Sequence, residues 1–295
     1  MDNTLIAPFE AHQSLLSLDT GKVAIFNRGS GRPLLLVHSV NAAACAAEIK
    51  PLFEHFAKSR SAWALDLPGY GLSERKAMPY TVRMMTDAVI ACARHAYEQG
   101  GKAPLDALAL SLSTEFLARA AAEHPYLFRR LIMVSPTGFR GTRSLREPAG
   151  STRYMAWLDR LLQGPGWGGA VFRGLTRPSV IRYFLKRTWG SDAIDESLWA
   201  YDTLTTRQPN AEHAPLSFLS GRLFSKDIHT LYDQLEMPML ITHGTRGDFT
   251  DYRGLSLFGH KRKWQVHVFQ NTGALHFFEK PAEFADLADR FLNQD

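Results

Sequence analysis

Asp106-Ala107-Leu108-Ala109-Leu110-Ser111-Leu112-Ser113-Thr114-Glu115-Phe116 is an apolar run of strand character that stops at a serine and passes at once into a helical pattern. A serine at such a junction is held on a sharp turn with its hydroxyl exposed, the geometry of a nucleophile elbow. The turn tolerates only small side chains two residues before and two residues after the serine, and Ala109 and Ser113 meet that demand. The same pattern also describes a strand-end serine that caps the next helix, so the choice between the two rests on the remainder of the chain.

A hydroxyl is a poor nucleophile near neutral pH and needs a base within hydrogen-bond reach and a carboxylate to orient that base. Near the C-terminus, Trp264 to Phe269 alternates like a strand, and the segment Gln270-Asn271-Thr272-Gly273-Ala274-Leu275-His276 follows it. His276 is then expected in a loop before a last helix that opens at Pro281 and carries Phe284, Leu287, Ala288 and Phe291 on one face. It is the candidate base among eleven histidines. The candidate carboxylate is Asp248, in the loop after a short buried strand, Pro238-Met239-Leu240-Ile241-Thr242-His243. The chain order is thus Ser, Asp, His.

With these segments in place the sequence resembles the α/β-hydrolase family. Leu34-Leu35-Leu36-Val37-His38-Ser39 is similar to the strand that ends in the family's His-Gly signature, and Leu65-Asp66-Leu67-Pro68-Gly69-Tyr70-Gly71-Leu72-Ser73 to its Asp-x-x-Gly-x-Gly-x-Ser turn. Five landmarks stand in the family's order over nearly the whole chain. The resemblance implies Ser111 as nucleophile, His276 as general base and Asp248 as orienting acid. It also implies an oxyanion hole made by the backbone N–H groups of Leu112 and Val40. Several positions depart from the family pattern: Ala109, Ser113 and Ser39 stand where it has glycines, and the Ser39 hydroxyl is either a tightening of the hole or a third donor. Asp248 lies four residues after Gly244, one more than usual, which makes Asp251 a rival for the acid. Asp66 and His38 are expected to satisfy buried backbone groups rather than to act on a substrate.

The pattern along the chain is a hairpin, Ser14–Asp19 and Lys22–Asn27, followed by alternating strands and helices. That order predicts an α/β fold with a mostly parallel, doubly wound sheet. The alternation breaks over residues 139–233, which lack a strand of core type, and 95 residues are too many for a simple loop in a compact domain. The expected organisation is a core of residues 1–138 and 234–295 with a helical lid, 139–233, inserted over the site. The lid aromatics Trp157, Trp167, Phe172, Tyr183, Phe184, Trp189 and Trp199 are expected mostly in the lid's own core, with some facing the cleft.

Composition narrows the function classes. A chain of 295 residues, 45% hydrophobic, can bury one large core. No apolar run approaches the roughly 18 to 20 residues that span a bilayer, and the N-terminus lacks an apolar stretch of signal-peptide length, so a cytoplasmic protein without stable membrane insertion is expected. Cys45 and Cys92 read as small core residues. The net charge of +5 is uneven: from Arg140 to Gly190 ten Arg or Lys face two acids, Glu147 and Asp159, a local balance of +8. Without a recognition motif this does not indicate nucleic acid; it is a solvated basic face or a surface that attracts anionic substrates or lipid headgroups. No histidine or acid cluster has zinc spacing and no glycine-rich loop cradles phosphate, so neither a metal nor a cofactor is implied. The expected activity is hydrolysis of a carboxylic ester of a small apolar molecule through an acyl-enzyme. Cleavage of a thioester, amide, lactone or C–C bond by the same triad, or a non-catalytic binding protein on the same fold, are the alternatives. Oligomeric state is not legible.

Overall fold

The structure, a computed structural model, describes residues 4–164 and 167–294. Eight strands form one sheet in the order β1-β2-β4-β3-β5-β6-β7-β8. They are β1 (His12–Leu18), β2 (Gly21–Arg28), β3 (Pro33–Val37), β4 (Ser61–Leu65), β5 (Leu105–Leu110), β6 (Phe128–Val134), β7 (Met239–Gly244) and β8 (Trp264–Phe269). The first hairpin pairs antiparallel, as does β2 with β4, and every later pairing is parallel. The expected α/β architecture is the one observed.

Strands β3, β5 and β7 are buried at every residue, as apolar runs must be when helices cover both faces of a parallel sheet. Because side chains alternate, the core divides in two. Leu35, Val37, Ala107, Ala109, Met133 and Ile241 face α2 (Val82–Gln99), α3 (Ser113–Glu123) and α9 (Ile228–Gln234), whereas Leu34, Leu36, Leu108, Leu110, Ile132, Val134 and Leu240 face α1 (Lys50–Phe56) and α11 (Pro281–Leu292). Helix α2 starts where the Thr81 hydroxyl accepts from the Met84 N–H, and ends at Gly100.

Between β6 and β7 lie α4 (Ala156–Gln163), α5 (Trp167–Leu175), α6 (Pro178–Trp189), α7 (Glu196–Thr205), α8 (His213–Leu219) and α9. Among the described residues this segment has no strand, only an isolated bridge between Thr152 and Ser225. After β8 a one-turn helix, α10 (His276–Glu279), precedes α11. His276 is therefore the first residue of a helix rather than part of a loop.

With β5 between β3 and β6, the C-terminal ends of β3, β5, β6, β7 and β8 meet along one edge of the sheet. Ligands of open parallel sheets bind at that edge, and Ser111 sits at its middle.

Candidate active site

Ser111 is built as the sequence suggests. Its φ is +50°, in the left-handed region that L-residues rarely occupy. Its N–H donates to Val134 O at 2.9 Å, and its carbonyl accepts from the Thr114 N–H and hydroxyl. The residue is half-buried while its neighbours on both sides are buried. Ser113, which could be confused with it, is fully buried and donates its hydroxyl to His38 O at 2.5 Å. That bond ties the start of α3 to the loop after β3.

The loop after β3 is held just as firmly. Glu48, buried, accepts from the Ser39 N–H at 2.8 Å, the Ser39 hydroxyl at 2.9 Å and Asn41 Nδ2 at 2.9 Å. The Ser39 hydroxyl is thus committed to Glu48 and is not a third oxyanion donor. The N–H groups of Val40 and Leu112 have no acceptor among the described residues. Asp66 accepts from the N–H groups of Ala46 and Leu72 at 2.7 and 2.8 Å, and His38 bridges Ser39 O and the Leu67 N–H. Both have the supporting role expected of them.

Among the described residues the side chains of the other two members of the anticipated triad bond groups other than Ser111. His276 is fully buried, stacked on Phe269 at 4.4 Å between ring centroids and tilted against Phe284 at 5.5 Å. Its Nε2 bonds Thr242 Oγ1 at 2.8 Å, and its Nδ1 is buried without a hydrogen-bond partner. Thr242 has the strand parity of Leu240, so the ring lies in the apolar layer between the sheet and α11. Burial, helped by the nearby charge of His243, pushes its pKa down to about 3. Asp248 is 41% exposed and forms an ion pair with Arg187 Nε at 2.7 Å. The rival, Asp251, is bound by Arg253 at 2.9 and 2.8 Å, which holds its carboxyl well below the usual range. Among the described residues no acid or serine side chain bonds His276.

The end of α6 occupies the place between the two loops. Its last carbonyls, those of Arg187, Thr188 and Trp189, accept from the Asp248 N–H at 3.3 Å, the Ala274 N–H at 2.9 Å and Arg246 Nε at 3.1 Å. Helix ends need such donors, and here the loops after β7 and β8 supply them. Three glycines make the approach possible. A Cβ on Gly247 would lie 2.5 Å from Arg187 O, one on Gly273 2.4 Å from Trp189 O, and one on Gly190 2.5 Å from Gly247 N. Position 247, three residues after Gly244, is where the usual spacing puts the acid; it is glycine with φ +85° and has no room for a side chain. The extra residue before Asp248 was the sequence signal of this arrangement.

A cavity of about 570 Å³ opens at the ends of β6 and β7, lined by residues 135–138 and 248–252 among others. Leu145, Phe224, Phe249 and Tyr252 give it apolar walls, and Arg140, Arg153, Arg187, Asp248 and Asp251 line it with charges of both signs. Among the described residues no group of three or more His, Cys, Asp or Glu side chains could hold a metal ion. Cys45 and Cys92 are buried and unpaired.

The sequence matches the family model for the alpha/beta hydrolase fold over residues 32–281. The chain belongs to that family. A search of the curated proteins gives no match. Among solved structures it is similar to a serine hydrolase from the polyaromatic-hydrocarbon-degrading bacterium Cycloclasticus zankles, at 16% identity and a TM-score of 0.72, covering 96% of this chain and 98% of that one. It is similar to the 2-hydroxy-6-oxo-6-phenylhexa-2,4-dienoate hydrolase of Rhodococcus sp. strain RHA1, at 14% identity and a TM-score of 0.73, covering 97% and 99%. An esterase from Exiguobacterium antarcticum aligns at 16% identity with a TM-score of 0.69, covering 93% and 96%. At these identities the likeness is one of fold.

Proposed function

We propose that this alpha/beta hydrolase-fold chain binds a small, apolar acyl compound in the cavity at the ends of β6 and β7. Any ester cleavage by Ser111 is then limited to what the elbow and oxyanion hole supply without a base–acid relay. The carrying observation is the position of His276, whose Nε2 is committed to Thr242 in an apolar layer. The helices between β6 and β7 act in this reading as the lid of the cavity. With Asp248 and Asp251 paired to Arg187 and Arg253, the lining arginines Arg140 and Arg153 suit a ligand with an anionic end and an apolar body. The compartment suggested by the sequence, cytoplasmic, fits a small-molecule ligand, and the reading needs no cofactor.

A full serine esterase is the second reading. It is favoured by the strained Ser111 backbone and the two unoccupied N–H donors, since strain of this kind gathers at reactive residues. It requires His276 to leave its packing and meet both Ser111 and an acid.

Turnover of p-nitrophenyl hexanoate separates the readings. Under the proposal, release is slow and depends on Ser111, and His276→Gln and Asp248→Asn change it by less than about threefold in folded protein, because neither serves as a relay. Losses on the order of 10³-fold or more in both variants, with folding retained, would establish the triad Ser111, Asp248, His276 instead.

A further inference from the structure

Trp157 and Trp167, expected inside the inserted helices or at the cleft, stand out of the surface at 67% and 66% exposure. Leu161 follows Trp157 by one turn on α4, and Val171 follows Trp167 by one turn on α5; both are exposed, as is Met155 at the start of α4. The opposite faces of the helices bury Leu162 and Phe172. The two helices touch backbone to backbone, since a Cβ on Gly168 would lie 1.9 Å from Leu162 O. Their outward stripes therefore stand on two helices in direct contact. Single exposed apolar side chains are ordinary, but a contiguous patch with two tryptophans marks an interaction site.

The rim of this patch is cationic. Arg160, Arg173 and Arg177 are exposed and form no ion pair with any described residue. The acid of α4, Asp159, is buried and neutralised by Arg222 at 2.7 Å. Tryptophan rings favour the boundary between headgroups and acyl chains, and helices with one apolar face and arginines beside it lie in the plane of that boundary.

We propose that the α4–α5 face docks this protein on an anionic lipid surface, with Trp157, Leu161, Trp167 and Val171 entering the acyl boundary and Arg160, Arg173 and Arg177 meeting the headgroups. A second copy of the chain is a poorer occupant. A two-fold contact through this face would set the three arginines against their own counterparts without an acid between them. The contact is peripheral, as no helix among the described residues is long and apolar enough to cross a membrane. The proposal is independent of whether Ser111 turns over a substrate.

Vesicle sedimentation tests it on the whole protein. Binding is expected to vesicles of phosphatidylcholine containing phosphatidylglycerol and not to phosphatidylcholine alone, with a blue shift of tryptophan emission. The Trp157→Ala/Trp167→Ala variant, altered only at exposed positions, should lose binding at least about tenfold, and Arg160→Gln/Arg173→Gln/Arg177→Gln should lose it and its salt dependence. Three results would overturn the proposal: no binding by the native chain, binding undiminished in the tryptophan variant, which would mean adsorption of a basic protein by charge alone, or a dimer in sedimentation that the tryptophan variant abolishes.

Discussion

His276 Nε2 lies 2.8 Å from Thr242 Oγ1, with the ring stacked on Phe269. That contact packs the ring, in this structure, against the apolar layer under α11. A base must exchange its proton with the nucleophile and be supported by an acid on its other nitrogen. Here one nitrogen is held by a threonine and the other, near the backbone of Gly273 and Ala274, meets no carboxylate among the described residues. Polar atoms at the C-terminal edge of the sheet fasten α6: the Asp248 and Ala274 N–H groups and the Arg246 guanidinium cap its carbonyls.

A buried neutral histidine makes stability depend on pH. In the unfolded chain the ring takes a proton near 6.5, and in the folded chain near 3. Between these values the unfolded state binds more protons, so stability falls as pH is lowered through the window and is fully present above it, with a limiting slope of about 1.4 kcal/mol per pH unit. His229 and His243, also pushed down by burial, act in the same sense. Urea unfolding at pH 7 and pH 5 should show the native chain losing about 2 kcal/mol more than His276→Gln, which keeps a partner for Thr242. Equal losses in the two proteins would show that the ring is not buried neutral.

Restoring a carboxylate at the usual spacing should fail. Gly247→Asp places a Cβ 2.5 Å from Arg187 O on a backbone with φ +85°. We expect a loss of about 1–3 kcal/mol in urea unfolding and no gain in ester turnover. A stable, faster variant would mean that α6 does not seal this position.

What the sequence revealed and what it hid follow from the range of the interactions. Apolar runs and the turn at Ser111 are local, so β3, β5, β7 and the elbow could be read directly, as could the supporting roles of Asp66 and His38. The fate of His276 depends on residues far along the chain. Its strand partner Thr242 is 34 positions away, and the loop it was expected to occupy is fixed by α6, from a segment whose helices carry no motif. Residue type at a suitable spacing located the histidine but not the face of the sheet to which its ring turns. The same holds for Trp157 and Trp167, since an aromatic on a helix is ordinarily core and only the packing of α4 on α5 turns these two outward.

At the other end of β5, Asp106 anchors the sheet. It is fully buried and binds Arg60 Nη1 at 2.9 Å and Arg129 through Nε and Nη2 at 2.9 and 2.7 Å. Arg60 also reaches Asn293 beyond α11 at 2.7 Å. Asp106→Asn leaves a buried guanidinium without its counter-charge, which should cost about 3–5 kcal/mol in urea unfolding. A change below about 1 kcal/mol, the range of exposed pairs, would mean that water reaches the cluster.

The elbow itself carries a measurable strain. At φ +50° the Cβ of Ser111 crowds its own backbone, a conformation that costs an L-residue roughly 1–2 kcal/mol and glycine almost nothing. Ser111→Ala removes the hydroxyl and keeps the Cβ, whereas Ser111→Gly removes both. The glycine variant also gains freedom in the unfolded chain, which offsets part of the relief. We therefore expect Ser111→Gly to be more stable than Ser111→Ala by about 0.5–1 kcal/mol in urea unfolding, with both variants unreactive toward a fluorophosphonate. If alanine proved the more stable of the two, the turn would be relaxed, and backbone strain could no longer be counted in favour of a reactive Ser111.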